Sequence, residues 1–210
     1  MAEFQLIQDR LLTLDAQGLK AAVSQALDGG AAPEDILDQG LIHAMDIVGE
    51  RMEEGLMFIP EVLMAAQAMS EALDLLKPLL GDSGSTERGR VIIGTVQGDL
   101  HDIGKNLVAM MMESAGLTVF NLGVDISPAD FVREIQEKNA NVLCLSALLT
   151  TTMPMMKLTV DAVVESGLRD QVKIMVGGAP VTAAFAEEIG ADAFAPDAGS
   201  AAKQAKALMV

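Results

Sequence analysis

Within Arg90–Asn106, RVIIGTVQGDLHDIGKN, the spacing Asp99-x-His101-x-x-Gly104 brings together residue types that do chemistry jointly. In an extended loop, residues two apart point the same way, so Asp99 and His101 share a side. A carboxylate then accepts the proton of one imidazole nitrogen and leaves the other nitrogen free to act as a ligand. Gly104 has no β-carbon, which permits a sharp entry into a helix and the close approach of something bulky. Gly98, Leu100 and Asp102 complete the loop. Taken alone, D-x-H also fits a polar loop whose histidine only forms hydrogen bonds.

Other stretches carry weaker signals. Ser146-Ala147-Leu148-Leu149-Thr150-Thr151-Thr152 mixes small hydroxyl and apolar residues. Such a run either lines a tunnel for a partly polar ligand or forms an ordinary turn with Thr152 near a helix N-cap. Gly177-Gly178 leaves backbone bare for a flat group, or simply makes a tight turn. Gly55-Leu56-Met57-Phe58-Ile59-Pro60 places four large apolar residues at a corner between helices, where they either plug a bundle or cover something outside it.

In order and spacing, Asp99-x-His101-x-x-Gly104, Ser146-x-Leu148 and Gly177-Gly178 resemble the cobalamin-binding fold. The similarity is greatest to corrinoid proteins of anaerobic methyltransferase systems and to the cobalamin module of methionine synthase, and it covers nearly the whole chain. The resemblance implies a bound cobalamin or related corrinoid, with His101 as the lower axial ligand of cobalt and Asp99 orienting it. Gly98, Leu100, Asp102 and Gly104 would lie against the cofactor. Ser146, Leu148, Thr150, Gly177 and Gly178 would line a slot for its nucleotide tail, with Ala198 as a further contact. Thr152 matches a serine that ends a histidine–aspartate relay in methionine synthase; it keeps the hydroxyl and adds a methyl. Phe58, helped by Leu56, Met57 or Met64, would cap the exposed face of the corrin ring.

The elements that must position these residues fall into two halves. Residues 3–80 show helical periodicity. Glu3–Leu14 and Asp15–Leu27 read as helices, with Asp15 an N-cap and Gly29-Gly30 a stop. A third helix starts at Pro33 and ends at Gly55, and a fourth spans about Pro60–Leu76. Short connections make this a four-helix bundle over 1–80. The Gly/Ser-rich stretch 81–89 reads as a linker. Over 90–210, strands near 91–96, 117–121, 142–146, 172–176 and 192–195 alternate with helices near 104–115, 128–138, 153–166, 181–189 and 199–208. That alternation predicts a Rossmann-like, five-stranded parallel sheet.

Composition sets the outer limits. The 210 residues include 14 Met but neither Trp nor Tyr, so the cores are aliphatic and methionine-rich. A formal charge of −16 argues against nucleic acid, since phosphate binding needs clustered Lys and Arg. The N-terminus lacks a signal-peptide pattern and no apolar run is long enough to span a membrane, which fits a cytoplasmic protein. Cys144, the single cysteine, sits in an apolar run and reads as inert core. His43 reads as a helix-surface or core residue rather than a ligand.

Three rival sites are set aside. A P-loop would need four residues between its glycines and Ser or Thr after the lysine; here five separate Gly98 from Gly104 and Asn106 follows Lys105. Two histidines and one cysteine are too few for a four-ligand zinc site of N/S ligands. No G-x-G-x-x-G follows the first strand. The resemblance then implies a methyl carrier. It would accept a methyl group on cobalt from a substrate-specific methyltransferase and pass it to a second one, using tetrahydrofolate or a similar acceptor, with a reductive activase as a further partner. A cobalamin-binding subunit of a radical mutase, or a cobalamin sensor, is the alternative.

Overall fold

The computed structural model describes residues 2–80 and 89–209. The expected linker, 81–89, falls almost wholly outside the described residues. The backbone forms two compact units, one helical and one built around a sheet.

In the first unit, α1 (Ala2–Leu12) and α2 (Ala16–Asp28) meet at a corner closed by Asp15, whose carboxylate accepts the Gly18 N–H at 2.9 Å. The first helix ends before its expected limit because Leu14 turns left-handed, at φ 61°, to let Asp15 cap the next. The third helical stretch begins at Pro33 as α3 (Pro33–Asp35), widens into a π-helical segment over Ile36–Ile42, and continues as α4 (His43–Glu53). Periodicity alone did not reveal the wide turn. Gly40 lies inside it, where an added β-carbon would come within 3.0 Å of the Ile7 side chain. The last helix, α5 (Ile59–Leu80), runs a turn past its expected end and includes Pro78. A proline so near a C-terminus forfeits one helical hydrogen bond and leaves the preceding turns intact. Ile7, Leu11, Leu19, Val23, Val48, Val62, Met69 and Leu76 form a fully buried aliphatic core.

The second unit has β1 (Arg90–Thr95), β2 (Thr118–Asn121), β3 (Val142–Ser146), β4 (Lys173–Gly177) and β5 (Ala193–Ala195), all parallel, in the order β2-β1-β3-β4-β5. The connecting helices are α6 (Ile103–Ser114), α7 (Pro128–Lys138), α8 (Met153–Glu165), α9 (Ala183–Ile189) and α10 (Ala198–Ala207). Side-chain caps from Ser127, Thr182 and Asp197 start α7, α9 and α10. Leu143, Leu145, Ile174 and Val176 form a buried layer with Phe131 and Met156. Cys144 is buried, and burial pushes its thiol far up, away from the reactive thiolate. His43 is exposed on α4. No helix among the described residues is long and apolar enough to cross a membrane.

Candidate functional site

The strand order places a switch point between β1 and β3, where connections leave toward opposite edges of the sheet and open a crevice at the strands' carboxyl ends. The loop after β1 carries Gly98–Asp102 and the loop after β3 carries Ala147–Thr152. Register aligns Thr95 with Ser146, Ser146 with Gly177, and Gly177 with Ala195, so the carboxyl ends of the four strands lie level.

Asp99 joins the two loops. It is fully buried, and both its oxygens are saturated. Oδ1 accepts the His101 backbone N–H at 3.1 Å and lies 2.8 Å from His101 Nδ1. Oδ2 accepts the Leu148 N–H at 2.8 Å, the Leu149 N–H at 3.3 Å and the Thr152 hydroxyl at 2.7 Å. Burial alone would raise this carboxyl. The Thr152 hydroxyl, the Leu148 N–H and the two His101 donors outweigh it and hold Asp99 well below the usual carboxylate range. An ionised carboxylate only accepts, so Nδ1 carries the proton and Nε2 of the neutral ring carries the lone pair.

That lone pair is open to a ligand. The His101 side chain is 51% exposed. Around it stand apolar side chains that a soluble surface would not choose: Leu100 at 72% exposed, Ile103 at 83%, Leu148 and Leu149. A free imidazole nitrogen inside an apolar collar fits a flat, largely apolar group that carries its own metal. Among the described residues no three His, Cys, Asp or Glu side chains gather as a metal cage. Gly104 agrees with that fit. It lies in the first turn of α6, and a β-carbon there would meet nothing of the chain within 4 Å.

The two other glycine-bearing signals have a different cause. Gly178 has φ +129°, and a β-carbon there would lie 1.9 Å from the Ala147 carbonyl oxygen. At Gly177 it would lie 3.1 Å from that of Ala195. Gly178 is demanded by the close approach of strand-end backbones, and Gly177 sits at a tighter spacing than most side chains accept. Ser146 and Gly177 are half-buried, Leu148 and Thr150 are exposed, and Ala198 is buried at the start of α10.

In the helical unit, Phe58 is 67% exposed and Leu56 66%, and Met64 is also exposed. Met57 is buried at 6% exposure and belongs to the bundle's own core, so it is not available as a helper of Phe58.

Sequence reasoning missed the supports of the loop. Asp125, left-handed at φ 57°, accepts the Gly98 N–H at 2.7 Å and donates its own N–H to the Asp99 carbonyl at 3.1 Å. Lys105 is buried at 3% exposure, with Nζ donating to the side-chain oxygens of Asn106 and Asn121 at 2.7 Å each. Burial lowers its pKa, partly countered by Asp102. An ammonium turned inward onto two amides is no phosphate clamp, in keeping with the rejected P-loop. The signal for Asp125 was faint: an Asp after Gly-Val at the end of a strand.

Known proteins match the whole chain. The B12 binding domain family matches residues 89–205, and a second family with the same description matches residues 4–77. Dimethylamine corrinoid protein 1 of Methanosarcina acetivorans is 41% identical, covering 100% of both chains. A corrinoid protein of Desulfitobacterium hafniense is 40% identical over 92% of this chain and 91% of its own. Among solved structures, a cobalamin-binding protein from Desulfitobacterium hafniense superposes with a TM-score of 0.85 at 31% identity over 99% of each chain. The methanol:cobalamin methyltransferase complex of Methanosarcina barkeri gives 0.86 at 28% identity, over 99% of this chain and 80% of the other. With its level strand ends, its buried Asp99 and its open imidazole, the chain belongs to the B12-binding corrinoid proteins.

Proposed function

We propose that this protein is a corrinoid methyl carrier serving two methyltransferases in turn. The observation that carries the proposal is the open Nε2 of His101, oriented by buried Asp99 in a chain that corrinoid proteins of methyltransferase systems match from end to end. Bound corrinoid supplies a cobalt centre that takes up a methyl group and releases it. His101 would hold the cobalt through Nε2, and Asp99 keeps the imidazole proton on Nδ1. Thr152 and the Leu148 and Leu149 N–H groups keep Asp99 ionised. Leu100, Ile103 and Leu148 exclude water, and Gly104 leaves room for the ring. Gly98 and Asp102 belong to the same loop. Ser146, Thr150, Gly177 and Gly178 are assigned to the nucleotide tail. Phe58, with Leu56 and Met64, is assigned to shielding the reactive face, on the strength of the family resemblance and their exposure. The division into a bundle over 1–80, a linker over 81–89 and a binding domain over 90–210 belongs to the same reading.

A substrate-specific methyltransferase loads the carrier, a second methyltransferase unloads it, and a reductive activase restores the cofactor, all in the cytoplasm. Methylated amines are the first donors to examine, because relatives named for dimethylamine match at 39–41% identity across nearly the whole chain. The reduced holoprotein, supplied with methylamines and tetrahydrofolate, should stay unmethylated alone. It should gain a methyl group when a donor-specific methyltransferase is added and lose it only with a second. Multiple turnovers by the purified chain alone would overturn the carrier reading.

A further inference from the structure

Thr95 is the last residue of β1 and is fully buried in a strand whose neighbours Val91, Ile92, Ile93 and Val96 are aliphatic. A hydroxyl buried there is costly unless it is hydrogen-bonded. Its partner lies outside the strand: Thr95 Oγ1 donates to the His101 carbonyl at 2.8 Å. Thr95 itself is fixed on both sides. It pairs with Ser146 of β3, its N–H donates to the Gly123 carbonyl at 3.0 Å, and its carbonyl accepts the Ile126 N–H at 3.0 Å. The hydroxyl therefore projects from a strand end that is held on both sides.

We propose that Thr95 is a positioning residue that sets the height of His101 over the strand ends, and through it the strength of the histidine–cobalt bond. The inference rests on His101 being the cobalt ligand. Asp99 holds the imidazole Nδ1 and the His101 N–H, and Thr95 holds the carbonyl. With both sides of the residue tied and the ring held at Nδ1, the backbone cannot recede from the sheet. Without the Thr95 bond the His101 carbonyl turns to solvent, and the loop gains a degree of freedom that ligation must then remove.

The test uses the full-length apoprotein and cobinamide, a corrinoid lacking the nucleotide tail, so that affinity depends strongly on the protein ligand. Thr95→Val removes the hydroxyl at similar size. Thr95→Ser and Thr95→Ala both lose the methyl and differ only in the hydroxyl. Dissociation constants from absorbance titration are read together with nitrogen hyperfine coupling in the Co(II) paramagnetic resonance spectrum. Val and Ala should weaken binding by about tenfold, the lower range for outer partners of a metal ligand, with a reduced share of nitrogen-coupled signal. Ser should stay within about twofold of the parent on the same scale. If Val does not fold, the Ser–Ala pair decides. Equal affinity and coupling for Ser and Ala would overturn the role of Thr95. A nitrogen-coupled signal that survives His101→Ala would instead overturn the ligand assignment beneath it.

Discussion

Replacing Asp99 by Asn keeps the shape of the side chain and exchanges one acceptor oxygen for a donor NH2. If the NH2 takes the Oδ2 position, it opposes the Leu148 N–H, the Leu149 N–H and the Thr152 hydroxyl. Thr152 can escape by donating to the Leu149 carbonyl, 2.9 Å away. The two backbone donors cannot, and a buried donor without a partner costs about 1–3 kcal/mol. If the NH2 takes the Oδ1 position, it opposes the His101 N–H and Nδ1, but the ring is half exposed and can move its proton to Nε2. The second arrangement is cheaper, so Asn should turn its NH2 toward His101. The apoprotein should lose about 1–3 kcal/mol, and Nε2 should carry the proton that blocks cobalt. Corrinoid affinity should fall by about 10–100-fold.

The pH dependence has a definite sign. A carboxyl whose folded pKa is depressed contributes stability above its unfolded value, near 3.9, and loses it as pH falls toward the folded value. The part of the stability gap that comes from the Asp99 carboxylate should thus shrink below about pH 4. Urea unfolding of the apoproteins gives the gap, and nitrogen-15 spectra of the histidine ring give the tautomer. A variant as stable as the parent with the proton still on Nδ1 would refute the reasoning.

The remaining predictions concern residues with opposite demands. Gly104→Ala should leave apoprotein stability unchanged or raise it by about 0.5–1 kcal/mol, as expected for Gly to Ala in a helix, yet weaken corrinoid binding; unaltered titration by corrinoid would show that the open space is not used. Gly178→Ala should destabilise the apoprotein by roughly 2 kcal/mol or more, since it combines a left-handed strain with a clash against the Ala147 carbonyl; an unshifted urea midpoint would contradict this. Phe58→Ala should move apoprotein stability by no more than about 0.5 kcal/mol, as for other exposed sites, but should speed light-driven methyl loss from bound methylcobalamin. Equal photolysis rates would remove Phe58 from the shielding role.

Much of this was legible in the sequence because two periodicities stay clean through most of the chain. The alternation of β-branched runs with amphipathic helices after Gly89 permits little besides a parallel sheet, and Asp99-x-His101 at a strand end needs only extended geometry to meet. The unreadable parts depend on contacts that local periodicity does not show. The brace of Asp125 on Gly98 and the reach of Lys105 to Asn121 join loops whose relative height is set by sheet register, and the bond from Thr95 to His101 depends on how the loop after β1 folds back onto its own strand end. The reason for Gly178, the Ala147 carbonyl of the neighbouring strand's loop, is of the same kind. In the helical unit, the wide turn over Ile36–Ile42 escaped because its apolar spacing matches that of an ordinary helix. Met57 escaped because a run of four large apolar residues does not say which of them faces inward.

The most direct test of the account is the Co(II) paramagnetic resonance spectrum of the full-length protein reconstituted with cobalamin carrying a nitrogen-15 label in its own base. Hyperfine splitting should show coupling to an unlabelled nitrogen of the protein, and this coupling should vanish in His101→Ala while the apoprotein's stability is kept. Coupling to the labelled base in the parent, or a spectrum unchanged by His101→Ala, would contradict the assignment of His101 as the cobalt ligand.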